Sequence, residues 1–171
     1  MVRLRLALAI ALAAALGAVS LAAGAPQLLP ACKGGQLRGT FTYVAGSGAA
    51  GHLSYALRLR NVTRVTCWVS GIPRLRLLDS RHRALPTRVV PARRGVMAVR
   101  VVLRKSQTAK AEARFSPTVS GPGEPANRQC ERTAVVLRVT LAGSRSVLAP
   151  IRPRTPVCEH GRMVFSMLSR A

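Results

Sequence analysis

Leu53-Ser54-Tyr55-Ala56-Leu57-Arg58-Leu59-Arg60 alternates without a break. In an extended chain Leu53, Tyr55, Leu57 and Leu59 fall on one side and Arg58 and Arg60 on the other, because successive strand side chains point to opposite faces. A period of two with charge on one side describes a half-buried strand of an antiparallel sheet, one face on a core and one in water. The pattern recurs at Arg74-Leu75-Arg76-Leu77, at Val99-Arg100-Val101-Val102-Leu103-Arg104 and from Val135 to Leu141. Leu37 to Val44 carries the strand-favouring Thr40, Phe41, Thr42 and Tyr43. Val147-Leu148 and Met163 to Met167 add two short candidates.

Gly71, Pro73, Pro86, Pro91, Gly95 and the run from Ser120 to Pro125 punctuate these segments. No stretch after residue 32 keeps a helical period over three turns. Short alternating strands with regular turn signals predict an all-β chain folded as an antiparallel β-sandwich. The run from Ser120 to Pro125 is too short to separate two units, so residues 32–168 are expected to form one domain. Its larger apolar anchors are Phe41, Tyr43, Tyr55, Phe115, Phe165 and Trp68. Trp68, beside Cys67, is expected to be buried over a disulfide rather than to stack on a ligand.

Upstream, Arg3 and Arg5 precede an uncharged, proline-free run from Leu6 to Ala23. A positive start, an apolar stretch and small residues after it make a secretory signal peptide over residues 1–24, a helix preceding the sandwich. Cleavage is expected after Ala22 or Gly24. The run is long enough to cross a bilayer if uncleaved, but it is mostly alanine. Leu29-Pro30-Ala31-Cys32 is a poor lipid-attachment box, with a proline inside it, so Cys32 reads as half of a disulfide.

Cys32, Cys67, Cys130 and Cys158 follow the leader. An even count in an oxidising compartment predicts two disulfides, in any of three pairings. The sequential pairing would close two loops of about thirty residues, each contributing about 3–4 kcal/mol by loop entropy. No Cys-x-x-Cys pair occurs and no histidine lies at finger spacing, so no metal site is expected. The chain is predicted to be secreted or associated with the cell envelope.

Charge is the other strong signal. The 171 residues include 27 Lys and Arg against 5 Asp and Glu, a formal charge of +22. Five carboxylates leave little material for paired-acid catalysis or carboxylate-rich metal binding. Lys33, Lys105 and Lys110 are the only lysines; arginine abundance beside so much Ala, Gly, Val and Pro resembles the output of a GC-rich genome. The field nonetheless draws in anionic partners over a salt-dependent range.

Leu59-Arg60-Asn61 followed by Cys67-Trp68-Val69-Ser70-Gly71-Ile72-Pro73 resembles a signature of Domain of Unknown Function forty-two thirty-two, a family of exported actinobacterial four-cysteine proteins and lipoproteins. Gly51-His52, Leu77-Leu78-Asp79, Cys130, and Cys158-Glu159-His160-Gly161-Arg162 match it in order, over about residues 32–168. The resemblance implies an immunoglobulin-like β-sandwich, export, and Cys32, Cys67, Cys130 and Cys158 as bridge partners. It also implies a turn at Gly71 and Pro73. It implies no catalytic residue and no cofactor.

The residues themselves agree on chemistry. Asp79-Ser80-Arg81-His82 holds the residue types of a hydrolytic triad, but triad members converge from separated elements, so a hairpin turn is expected. His52, His82 and His160 are widely spaced. Asn61-Val62-Thr63 matches a glycosylation sequon too short to weigh. The expected site is an anionic-ligand surface made by Arg58, Arg60, Arg74, Arg76, Arg100, Arg104 and Arg138, all predicted to face away from the core. Its expected partners are anionic envelope polymer or lipid head groups, bound by a module that is not an enzyme. The alternative is an extracellular protein–protein module whose partner recognition resists salt. A nucleic-acid partner fits the charge but not export or the scarcity of aromatics.

Overall fold

The alternation around Tyr55 produces strand β2 (Leu53–Asn61), which pairs antiparallel on one side with β1 (Leu37–Tyr43) and on the other with β7 (Thr108–Phe115). The computed structural model describes residues 28–126, 128–141 and 146–171; the leader predicted over residues 1–24 lies outside them. The remaining strands are β3 (Cys67–Ser70), β4 (Arg74–Leu78), β5 (Arg88–Pro91), β6 (Arg100–Leu103), β8 (Ala134–Thr140), β9 (Val147–Thr155), β10 (Arg162–Phe165) and β11 (Ser169–Arg170).

The long sheet runs β4-β8-β9-β1-β2-β7-β10-β5, with β11 also on β7, while β3 and β6 form a sheet of two. The inward side chains of both sheets meet in one buried cluster. The chain is therefore all-β, an immunoglobulin-like sandwich whose long sheet curls almost into a barrel. Pairing is mixed where a purely antiparallel sandwich was expected. β1 lies parallel to β9, with Phe41 opposite Ile151, and β10 lies parallel to β5, with Met163 opposite Val89. Both parallel pairs join strands distant in sequence, as a parallel ladder requires, since a hairpin cannot make one.

Phe41, Tyr55, Phe115 and Phe165 are fully buried or nearly so, and their rings stand 5.2–6.4 Å from Phe41 or from one another. Beside them β7 shows how sequence and packing differ. Ala109, Ala111 and Ala113 alternate with Lys110, Glu112 and Arg114, so the period of two is present, but alanine carries little strand preference. The register explains the alanines. They stand opposite Leu59, Leu57 and Tyr55, small against large, so the core side of the β2–β7 ladder fills without collision. Gly39 on β1 serves a similar end, because a Cβ there would press on Ala149 and Val147 of β9.

The disulfides follow the sequential pairing, Cys32–Cys67 and Cys130–Cys158, with Cα separations of 4.8 and 5.5 Å. Trp68 departs from the burial expected of it. It is only half-buried; its indole N–H donates to the Leu29 carbonyl at 2.8 Å. The Arg100 guanidinium lies 4.5 Å from the ring centroid.

Candidate functional site

Cross-strand register decides which arginines share a surface. On β2, Arg60 stands directly opposite Arg38 of β1, and Arg58 directly opposite Lys110 of β7. Four cations thus crowd three adjacent strands. On β4, Arg76 stands opposite Arg138 of β8, and Arg74 opposite Thr140. Arg58, Arg60, Arg74, Arg76 and Arg138 are all exposed and all belong to the long sheet. Only β9 separates the two groups, so β8 and β1 lie about 10 Å apart along the sheet at the usual strand spacing. Arg152 on the intervening β9 is exposed beside Thr42.

Arg100 and Arg104 are exposed too but are not part of that sheet. Arg100 lies on β6 opposite Ser70 and over Trp68. Arg104 opens the turn after β6, where its backbone N–H donates to the Gln107 side chain at 2.8 Å. Arg38, Lys110 and Arg152 complete the cationic face and were not singled out from the sequence. Arg38 and Lys110 occupy the polar positions of alternating segments, Leu37-Arg38-Gly39 and Ala109-Lys110-Ala111, and that signal was available.

The five carboxylates do little to neutralise this face. Asp79 is buried, and one of its oxygens accepts the backbone N–H of Arg81 and of Arg83, each at 2.9 Å. The other takes the Arg83 side chain, with Arg132 at 3.6 Å. The Arg83 N–H, foremost among these contacts, holds the Asp79 carboxyl below the usual carboxylate range. The segment is thus the expected turn. Glu124, Glu131 and Glu159 cluster elsewhere, around His160 and Arg162. Among the described residues only Glu112 stands within the cationic face, opposite Ala56.

The Glu124 cluster is organised around an unusual backbone. Glu159, His160 and Gly161 all have positive φ, forming one left-handed turn after Cys158. The nearly buried Glu124 carboxylate accepts the N–H groups of Glu159 at 2.8 Å, of His160, and of Gly121. Burial pushes Glu124 upward, but these N–H donors outweigh it and hold the carboxyl low. His160 Nδ1 lies 3.7 Å from Glu124 and 3.8 Å from Glu131, and the three side chains are close enough to share a cation. Both Glu124 oxygens are already engaged by backbone N–H groups, so the arrangement serves the turn. His52 and His82 belong to neither metal-sized cluster among the described residues.

A cleft of about 390 Å³ lies where β3 meets the start of β4, lined by Trp68, Ile72, Arg74 and Thr140 among others. Arg74 reaches it from the cationic face and Arg100 caps its tryptophan.

No curated protein and no solved structure matches the chain. A family described as "Domain of unknown function (DUF4232)" matches residues 32–165, nearly the full span of the sandwich and all four cysteines. The resemblance seen at Cys67 to Pro73 thus extends through β10, and the chain belongs to the DUF4232 family.

Proposed function

We propose that this protein is an exported, non-enzymatic β-sandwich module that associates with anionic components of the cell envelope through its cationic outer face. One observation carries this reading: Arg38–Arg60, Arg58–Lys110 and Arg76–Arg138 face each other directly across paired strands. Like charges in that position destabilise a sheet, and carboxylates in hydrogen-bonded register would relieve them. A phosphate-bearing polymer or head-group layer relieves the same repulsion from outside, with arginine forks able to make bidentate contacts. Two disulfides suit an oxidising, extracytoplasmic environment. Among the described residues no helix is long and apolar enough to cross a membrane.

The test is binding to polyphosphate and to anionic vesicles over a range of ionic strength. Affinity is expected to fall at least tenfold between about 30 mM and about 300 mM salt, as the Debye length shrinks below the spacing of the charges. Absence of binding at low salt removes the proposal. Recovery of a protein partner that stays bound at high salt favours the interaction-module alternative instead.

A further inference from the structure

Residues 92–99, which link β5 to β6, are all exposed. At the centre of this segment Met97 is 87% exposed, Val99 69% and Val96 49%. Arg93 and Arg94 precede these apolar side chains and Arg100 follows them. They line two clefts of about 410 and 480 Å³ that share Val96 and Met167, the second of which Arg170 also lines. No carboxylate lines either cleft. Solvent alone gives no reason to raise three apolar side chains on a loop, and clustered exposed apolar groups mark an interaction surface.

The chemistry of the surroundings selects the partner. A soluble phosphate polymer satisfies the arginines but offers the apolar side chains nothing. An anionic bilayer satisfies both, because its charged head groups lie directly over hydrocarbon and each cation near the surface adds attraction. Apolar side chains on interfacial elements enter by about 5–10 Å. Arg94 and Arg100 are six residues apart, at most about 20 Å of extended chain, so both can stay among head groups while Met97 enters.

We infer that the segment around Met97 is a membrane-contact tip, with Val96, Met97 and Val99 entering an anionic lipid surface while Arg93, Arg94, Arg100 and Arg170 hold its head groups. This rests on the cationic-face reading and names its partner as lipid rather than wall polymer.

All four cysteines are engaged in disulfides, so Met97→Cys introduces a single thiol for an environment-sensitive fluorophore. Val119→Cys, exposed in the loop after β7 and outside the cationic face, provides the comparison site. The label at 97 is expected to brighten and shift to the blue on phosphatidylglycerol vesicles, and to be quenched by lipid-borne quencher, while the label at 119 stays silent. On phosphatidylcholine vesicles both stay silent. The local response separates the tip from anything the leader does to the same vesicles. In the unlabelled chain, Val96→Ser with Met97→Ser is expected to weaken phosphatidylglycerol binding at least tenfold and leave polyphosphate binding unchanged. Vesicle binding with a silent position 97 overturns the inference and leaves the cationic-face reading standing. Polyphosphate binding without vesicle binding does the same. Loss of both kinds of binding in the parent chain sinks the two together.

Discussion

The side-chain amide of Asn61, at the end of β2, donates to the backbone carbonyl of Leu103, at the end of β6, at 2.9 Å. These strands belong to different sheets, so one buried side chain ties the small sheet to the large one. The same amide donates to the Val65 carbonyl at 2.8 Å, and its oxygen accepts both the N–H and the hydroxyl of Thr63. The sequon asparagine is fully buried and serves as an internal tie.

Asn61→Ala should therefore destabilise by about 2–4 kcal/mol, because it leaves buried carbonyls and an N–H without partners. Asn61→Asp should be worse, since it removes both donors and buries a charge. Urea unfolding checks this. A midpoint unchanged in Asn61→Ala would show that the sheets are held together without it.

Acid should weaken the fold through Glu124 and Asp79. Both carboxyls are held low in the folded chain, so the unfolded chain takes up their protons first as pH falls. The stability they contribute is full above the ordinary carboxylate range of about 4 and is lost as pH drops through their folded values. Urea midpoints measured against pH should be flat near neutrality and fall below about pH 4.5. Glu124→Gln should lie lower at neutral pH and fall less steeply, because its amide cannot accept at both positions.

Gly161 has a φ of 73°, and a Cβ there would collide with the Pro86 carbonyl. Gly161→Ala is expected to abolish soluble, correctly cross-linked protein. Gly46→Ala, at a φ of 75° with open space around it, should cost only about 1 kcal/mol. Yield, disulfide mapping and thermal unfolding of the two variants separate collision from backbone conformation alone.

Arg60→Glu should move stability and binding in opposite directions. It converts the Arg38 pair from repulsion to attraction, worth a few tenths to about 1 kcal/mol of added stability. It also removes a cation from the densest part of the outer face, so polyphosphate affinity should fall severalfold at low salt. Parallel loss of both would mean the arginine is structural.

Several elements could be read before any tertiary information. β2, β4, β6 and β8 announce themselves because leucine and valine alternate with arginine. β3 stayed hidden inside the Cys67 to Pro73 signature, β5 ends in a proline, and β7 uses alanine inside. Each of these becomes a strand by docking beside neighbours, and no local preference marks that. The left-handed turn at Glu159-His160-Gly161 shows only one glycine to the reader of sequence. Its other half is a glutamate thirty-five residues earlier.

Periodicity and cysteine count by themselves determined that this is a disulfide-stapled β protein with its arginines turned to water, because burial of alternate apolar side chains is a local demand. Strand order and register were decided only in three dimensions. They set which cations face one another, place Arg100 on Trp68 and leave the Met97 segment uncovered. These depend on which distant segments pair, and a ladder's hydrogen bonds are nearly the same for every partner. The choice is made by the fit of whole faces, leucine against alanine and glycine beside the bulkier side chains of a paired strand, which no single segment encodes.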